Sequence, residues 1–166
     1  MTWFDSILGK SLLENEKSII YPFLEDKFGY YALQINFPEK DFLHVSRIPN
    51  HLFNDGKLKN IDFSVNALPF NSDSLDIVIC PHQIEQINDH KVFFEELYRI
   101  IIPNGYCILW AFNPFSFAGL RNFVGFENNF PWNGNFISLS YCQNILKEKG
   151  FVIEEAKIFN YQPIFF

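Results

Sequence analysis

The sequence predicts an α/β fold in which helices flank a mostly parallel sheet. Two apolar runs of strand length, LDIVIC (75–80) and YCILWAF (106–112), are continuous rather than alternating. Continuous apolarity is typical of parallel strands that are covered on both faces. A helical stripe lies between the two runs, formed by Val92, Phe93, Leu97, Ile100 and Ile101. Strand, helix and strand joined by short polar turns make a βαβ unit with a right-handed crossover.

Length and composition set the bounds of this prediction. The chain has 166 residues, of which 48% are hydrophobic, so we expect one folded domain over 1–166. Within it we expect an N-terminal helical segment over 1–28 and a sheet core over 29–166. The net charge of -6 argues against binding to nucleic acid, which normally requires a basic surface.

Targeting and redox signals indicate a cytoplasmic protein. No window reaches about 18 uncharged apolar residues, so we expect no membrane span. Asp5 interrupts the region where a signal peptide carries its apolar stretch. Cys80, Cys107 and Cys142 are odd in number and far apart in the sequence. They therefore predict neither a disulfide framework nor a metal site.

The first half of the chain has weaker patterns. Residues 3–24 have the apolar spacing of one or two amphipathic helices that break or end near Pro22. Residues 30–35 form a short apolar run that predicts a buried strand. Two weaker runs, 41–45 and 61–65, predict the second and third strands.

The second half is more regular. Asp89 is placed to cap a helix that runs to about Ile101 and ends at the turn 103–105. Residues 115–136 predict a loop with one short helix at 118–124. A helix over 140–149 is closed by Gly150, since glycine tolerates the left-handed conformation at a helix end. Two further strands are predicted, at 151–158 and 161–166.

The ordered motifs of the second half resemble a known family. The run LPFNSDSLDIVICPHQIEQINDHKVFFEELYRIIIPNGYCILWAFNP (68–114) resembles the middle of class I S-adenosylmethionine-dependent methyltransferases, in the small-molecule (methyltransferase type 11) group. The E-x-x-R element is Glu96 to Arg99, and the P-x-G element is Pro103 to Gly105. The run FNPFSFAGLRN resembles a YafS-like bacterial branch. The resemblance implies the Rossmann-like class I methyltransferase fold, in a short or truncated version, with S-adenosylmethionine as cofactor.

The family pattern is degenerate where the cofactor binds. The resemblance places a glycine-rich turn after the first strand, where this sequence has LQINFPEKD and Asn36 stands for the first glycine. Ser46 lies in the stretch that matches the acid of the second strand, and Ser64 matches the adenine-side acid. The loop after the third strand frames the adenine through its backbone. The predicted cofactor-binding residues are Asn36, Ser46, Ser64, Asn66, Ala67, Leu68 and Cys80.

The resemblance also suggests substrate-side residues. His82 follows the fourth strand, where it is a candidate general base or orienting group, or alternatively a polar residue that caps the strand end. Asn113, Ser116 and Arg121 follow the fifth strand, and Arg121 is either an anion clamp or an ordinary surface residue. The aromatic segment 112–136 is a substrate lid, a surface for a protein partner, or part of the core. No metal ligands are predicted.

Two functions remain open at this point. The first is an S-adenosylmethionine-dependent methyltransferase-like protein with a small-molecule substrate and weakened or lost cofactor binding. The second is a catalytically inactive methyltransferase-fold domain, a pseudoenzyme that serves as an interaction or structural module. An oxidoreductase is disfavoured because the sequence lacks GxGxxG.

Overall fold

The computed structural model of this chain describes residues 3–37, 40–53, 67–114 and 134–157. Within these ranges, four strands form one sheet in which each neighbouring pair is parallel. The strands are β1 (Tyr31–Gln34), β2 (Asn50–Phe53), β3 (Leu75–Pro81) and β4 (Ile101–Trp110). The predicted α/β class with a parallel sheet is confirmed.

The strand order defines where a ligand would bind. The order across the sheet is β2-β1-β3-β4. The chain therefore leaves β1 toward one side of the sheet and leaves β3 toward the other. Open α/β sheets bind ligands at such a switch point, beyond the carboxyl ends of the two central strands.

Helices cover both faces of the sheet. One apolar cluster joins β3 to α2 (His90–Ile100) and α3 (Leu139–Glu148), with Phe93, Phe94 and Ile145 buried. The other joins the opposite face of β3 to α1 (Ile7–Glu25), with Leu13 and Leu24 buried. This confirms the expectation that β3, whose apolar run is continuous, is covered on both faces.

Helix α1 is a single helix within the segment where the sequence predicted one or two. Ser6 caps its amino end by accepting a hydrogen bond from the Gly9 backbone N–H at 3.1 Å. The helix continues through Pro22, so a break at Pro22 is wrong, but the helix ends three residues later at Glu25, close to the predicted end. Pro22 faces solvent, whereas Leu24 in the following turn is fully buried. Burial of that turn offsets the backbone hydrogen bond that proline cannot make.

The predicted second strand at 41–45 is also wrong. A short 3-10 helix, Leu43–Val45, occupies most of that stretch, and the strand that pairs with β1 is β2. Local hydrogen bonds explain the difference. The Asp41 side chain accepts from the Leu43 N–H at 2.8 Å, a turn that competes with extended structure. The predicted third strand at 61–65 lies outside the described residues.

The βαβ unit matches the prediction except at one turn. Asp89 caps α2 by accepting from the N–H groups of Lys91 and Val92. The helix ends at Ile100, directly before β4, so the turn 103–105 lies inside the strand rather than at the helix end. Val92, predicted to be buried, is 37% exposed, and Phe94 is buried in its place.

The C-terminal part of the fold is confirmed only in its helix. Helix α3 ends beside Gly150, which has the left-handed φ of 100° that the sequence predicted. Residues 151–157 have no regular secondary structure, so the predicted strand there is wrong for these residues. The Phe151 N–H instead bonds back to the Leu146 carbonyl, and its ring packs on Tyr98. The predicted helix at 118–124 and strand at 161–166 lie outside the described residues.

None of the helices in the described ranges is long and apolar enough to cross a membrane.

Candidate functional site

The carboxyl ends of β1, β3 and β4 converge at the switch point of the sheet. Each end delivers one ring: Phe37 after β1, His82 after β3 and Phe112 after β4. A fourth ring, Phe4, comes from the 3-10 helix Trp3–Asp5 that precedes α1. All four residues are buried. We call this group the ring cluster.

The turn after β1 keeps a glycine-like shape without glycine. Asn36 has a φ of 72° and Phe37 a φ of 61°, both in the left-handed region. That conformation costs a non-glycine residue about 1–2 kcal/mol, and asparagine tolerates it better than phenylalanine. The backbone conformation that usually favours glycine is therefore present, but two side chains project from it.

Gln34, which the sequence analysis did not identify, organises this turn. Its side-chain oxygen accepts from the Phe42 N–H at 3.0 Å. Its amide nitrogen lies within hydrogen-bond distance of three carbonyl oxygens, those of Asn36 (3.2 Å), Phe37 (3.0 Å) and Lys40 (2.7 Å). Gln34 is 1% exposed. The sequence does contain a signal for this role: Gln34 is a glutamine among the apolar residues of a predicted buried strand, and a buried amide requires hydrogen-bond partners.

Asn36 closes the switch point. Its side-chain amide donates to the carbonyl oxygens of Pro81, at 3.1 Å, and His82, at 3.2 Å. These two bonds link the carboxyl end of β1 to that of β3. Asn36, predicted to bind the cofactor, therefore uses its amide within the protein.

His82 lies between two buried carboxylates. Its Nε2 is 2.9 Å from Glu16 Oε1, and its Nδ1 is 3.5 Å from Glu85 Oε1. Glu16 lies on α1, 66 residues before His82 in the sequence. All three residues are 2% exposed. The structure thus adds Glu16 and Glu85 to the predicted site.

The pKa of His82 is raised to about 9. Burial by itself lowers it, because a charged ring loses its hydration. The charge of Glu16 and its hydrogen bond, followed by the hydrogen bond and charge of Glu85, more than reverse that effect. An imidazolium at neutral pH has no free lone pair to accept a proton. The geometry therefore favours a fixed cation at His82 over the predicted general base.

The aromatic rings pack directly around that cation. His82 stacks on Phe112 with ring centroids 4.5 Å apart, and the Phe4 ring lies 5.2 Å away. Phe4 also meets Phe37 edge to face at 4.2 Å. Rings at such separations attract a cation through their negative faces and attract one another in edge-to-face pairs. The ring cluster fills the space beyond the ends of β1 and β3.

Glu85 connects three segments at this edge. Its Oε1 accepts from the Phe112 N–H, and its backbone carbonyl accepts from the Asn135 N–H at 2.8 Å. The second carboxylate oxygens of Glu16 and Glu85 are buried without a hydrogen-bond partner. Two buried carboxylates around one imidazolium make an electrostatically costly group, since burial removes the hydration of each charge.

The E-x-x-R element holds the loop after the third strand. Arg99 donates to the carbonyls of Phe70, at 2.7 Å, and Leu68, at 3.0 Å, while Glu96 accepts from the Leu68 N–H at 2.9 Å. The hydrogen bond from Arg99 is the main reason that the pKa of Glu96 lies below its ordinary value. The backbone of Leu68, predicted to contact adenine, is therefore bonded to α2.

Replacing Arg99 with lysine should destabilise the fold by about 1–3 kcal/mol, because an ammonium cannot reproduce the forked contacts to two carbonyls and Glu96. Urea unfolding followed by circular dichroism measures the loss. Arg47→Lys is the matched control and should cost less than about 1 kcal/mol, since Arg47 is exposed and, among the described residues, lies over the Phe28 ring. Equal losses in the two variants would contradict the assigned role of Arg99.

The basis for predicting Ser46 is wrong. Ser46 directly follows the 3-10 helix Leu43–Val45 and precedes β2, and its hydroxyl accepts from the Ile48 N–H. The carboxyl end of the second strand is Phe53. In the sequence the residues after Phe53 are Asn54 and Asp55, which lie outside the described residues.

The other predicted residues are divided between core, surface and undescribed segments. Cys80 is fully buried in the apolar cluster with α2, and Ala67 is exposed. Asn113 lies just beyond β4, at the same edge as the ring cluster. Phe112 and Phe136 of the aromatic segment stack on each other inside the fold, at 5.4 Å. Ser64, Asn66, Ser116 and Arg121 lie outside the described residues.

The cysteines, distant in sequence, are neighbours in the fold. Burial is the main cause that raises the pKa of Cys80 well above its ordinary value, and a hydrogen bond with Cys107 adds to it. Burial also raises the pKa of Cys142 to about 12. Thiols with such raised pKa values are poor nucleophiles. Within the described ranges, no group of three or more His, Cys, Asp or Glu side chains is arranged to hold a metal ion.

Comparison with known proteins agrees with this architecture. Residues 32–109 match the family model described as a methyltransferase domain. The chain is 24% identical to the uncharacterised protein YafS of Escherichia coli over 165 residues, which cover 97% of this chain and 69% of YafS. A SAM-dependent methyltransferase from Thermotoga maritima superposes with a TM-score of 0.64 at 18% identity, covering 87% of this chain and 79% of that one. One from Mesorhizobium loti gives 0.67 at 14% identity, covering 87% and 84%.

The fold is that of the class I methyltransferases. The chain combines this fold with a methyltransferase domain match across β1 to β4, and the resemblance inferred from its motifs is confirmed.

The residues at the switch point do not fit S-adenosylmethionine, the cofactor that this class implies, in the arrangement seen here. Phe37 projects from the turn that normally has glycine, and its ring packs against Phe4. The side chains of Asn36 and Gln34 are bonded to the protein's own backbone. A ligand would therefore have to displace internal contacts at this edge.

Proposed function

We propose that the protein is an S-adenosylmethionine-dependent methyltransferase-like protein of the small-molecule type that binds its cofactor weakly. The observation that carries the proposal is the turn at Asn36 and Phe37. Its left-handed backbone lies at the carboxyl end of β1, beside the switch point. The left-handed backbone of this turn costs about 1–2 kcal/mol of conformational free energy for each non-glycine residue, and the fold keeps it nevertheless. The methyltransferase domain match over 32–109 supports the same cofactor.

Weak binding follows from the closed site. The ligand must break the two hydrogen bonds of Asn36 and separate the ring cluster before it can reach the turn. An opening cost of about 3–4 kcal/mol would turn a micromolar site into one with a dissociation constant on the order of 0.1–1 mM. Methyl transfer depends mainly on orientation, so the lack of a general base at His82 does not argue against the activity.

The second candidate function is that of an inactive methyltransferase-fold module. For both candidates we propose a cytoplasmic location. The buried ring cluster favours the inactive module, because Phe4, Phe37 and Phe112 pack in the place where a ligand would bind. In that case the rings serve the core, and the protein acts through a partner. The aromatic segment 112–136 is the surface that the sequence suggests for that partner.

Isothermal titration of the full chain with S-adenosylhomocysteine, the demethylated product, separates the two candidates. The first candidate predicts saturable binding with a dissociation constant on the order of 0.1–1 mM. Adenosine and homocysteine, titrated separately, are the controls for nonspecific binding. A titration without saturable heat at several millimolar ligand, together with an unmoved thermal midpoint, would favour the inactive module and sink the first candidate.

Asn36→Gly should tighten S-adenosylhomocysteine binding roughly tenfold, about 1.4 kcal/mol, because the ligand no longer has to displace the Asn36 hydrogen bonds. Glycine also adopts the φ of 72° without strain. Asn104→Gly is the matched control, since Asn104 has a φ of 64° but lies in the turn 103–105, near the start of β4. Unchanged affinity in Asn36→Gly, or an equal gain in both variants, would contradict the role assigned to Asn36.

A further inference from the structure

We propose that the N-terminal segment is a displaceable plug: Phe4 and the first half of α1 occupy the switch-point site, and the Glu16–His82 ion pair latches them there. This inference rests on the proposed function, because it concerns access to the same site. The gating role that we assign to Glu16 rests on its contact with His82.

Phe4 provides the contact between the N-terminal segment and the switch-point site. Phe4 is 3% exposed, and its ring touches the rings of Phe37, His82 and Phe112. None of these three partners lies on the N-terminal segment. Each belongs to the edge where parallel α/β sheets bind ligands. Withdrawal of Phe4 would therefore expose the turn after β1 and the end of β3 together.

The latch is one polar contact between α1 and His82, and the carboxylate of Glu85 lies on the other side of the His82 ring. Glu16 Oε1 meets His82 Nε2 at 2.9 Å, and both residues are 2% exposed. The other Glu16 oxygen is buried and has no hydrogen-bond partner among the described residues. A buried carboxylate with one satisfied oxygen gains a hydration shell when the helix moves away, so opening recovers part of the desolvation cost. Opening therefore loses one hydrogen bond but regains hydration of the carboxylate, so this contact can open more easily than a purely apolar core contact.

The C-terminal half of α1 provides an anchor for such a movement. Leu24 is fully buried, Tyr21 packs on His44, and Phe23 packs on Tyr106. In the first half of α1, the side chains on the outer face of the helix are exposed, including Ile7 at 88%. Pro22 lies within the anchored half, and it cannot donate the helical hydrogen bond that would reach back to the Ser18 carbonyl, toward the first half. We therefore expect the segment before Glu16 to open while the end of α1 stays on the sheet.

Opening and binding are linked quantitatively. If the ligand binds only the open form, the apparent dissociation constant equals the intrinsic one divided by the open fraction. A change that raises a small open fraction tenfold should then lower the apparent dissociation constant about tenfold. Amide hydrogen exchange in the first half of α1 reports the same open fraction without any ligand.

The test compares Glu16→Gln and Phe4→Ala with the wild-type chain, by hydrogen exchange and by titration with S-adenosylhomocysteine. Glu16→Gln keeps the shape of the latch and removes its charge. Phe4→Ala removes the ring and remains informative if the buried glutamine impairs folding. Glu14→Gln is the matched control, because it makes the same change on the exposed side of α1, where Glu14 pairs only with Lys17.

The expected result is faster exchange in the first half of α1 and tighter ligand binding by the same factor, in both variants and not in the control. Exchange of α1 only through global unfolding, in all variants, would overturn the plug. Faster exchange with unchanged affinity would overturn it as a gate. Faster exchange with no binding in any variant would support opening of the segment and overturn the proposed function instead.

Discussion

The free energy of unfolding should fall by about 3 kcal/mol as the pH rises from 6.5 through 9, because over that range the unfolded state has lost the His82 proton while the folded state still holds it. The pKa of His82 is raised from 6.5 to about 9. A raised pKa stabilises the fold fully below 6.5, where both states bind the proton. That contribution is lost as the pH passes the folded value. Urea unfolding at half-unit pH steps measures the decline.

The charged groups that face His82 among the described residues are Glu16 on α1 and Glu85 on the 3-10 helix Ile84–Gln86. Glu16→Gln removes the largest favourable cause of the raised pKa of His82, so the decline should still begin near pH 6.5 but become smaller and end at lower pH. Glu14→Gln should leave the profile as in the wild type. A direct nuclear magnetic resonance titration of His82 provides an independent check. A midpoint near 6.5 would show that the buried pair does not hold the proton.

Gly105→Ala should destabilise the fold by about 2–3 kcal/mol, because the added methyl group has no space. An ideal Cβ at Gly105 would lie 2.6 Å from Ile101 Cγ2, 2.9 Å from the Asp76 carbonyl oxygen and 3.0 Å from the Ile102 carbonyl oxygen. Two of these three atoms belong to the backbone of the sheet and cannot move independently. Chemical denaturation of the variant measures the loss.

Pro103→Ala is the control for the Gly105 variant, because Pro103 is exposed in the same turn and its replacement should change stability by less than about 1 kcal/mol. A loss of similar size in both variants would mean that the turn as a whole, and not the close approach at Gly105, limits stability. The P-x-G element thus has a packing explanation here: its glycine allows β4 to pass close to the start of β3.

The elements predicted correctly are those whose signals are local. Strand β3, the Asp89 cap of α2 and the Gly150 end of α3 each depend on residues within one turn or one strand. The wrong prediction of a strand at 41–45 arose because apolar spacing does not show side-chain to backbone hydrogen bonds. Asp41 accepts from the Leu43 N–H, and the Gln34 side chain accepts from the Phe42 N–H, eight residues later in the sequence, so this stretch forms a turn.

The site was predictable in position but not in composition. The sequence identifies His82 because it follows the fourth strand, and Asn36 because the family resemblance places the glycine-rich turn there; both lie at the switch point. Glu16 was not identified, because on the sequence it is one acidic residue among several on an amphipathic helix. Phe4 was not identified either, since an apolar residue near a helix start does not indicate which ring it will meet.

The sequence by itself determined the strand, helix and strand of the βαβ unit, the helix that ends beside Gly150, the parallel sheet and the class of fold, because period, caps and turn residues act over short distances. Only the tertiary structure decided the state of the site. Buried charges and rings acquire their partners through packing, and the Glu16–His82 contact joins residues 66 positions apart. The physical reason is that burial makes each polar group depend on whichever partner the fold brings to it. Here that partner is the chain's own N-terminal helix.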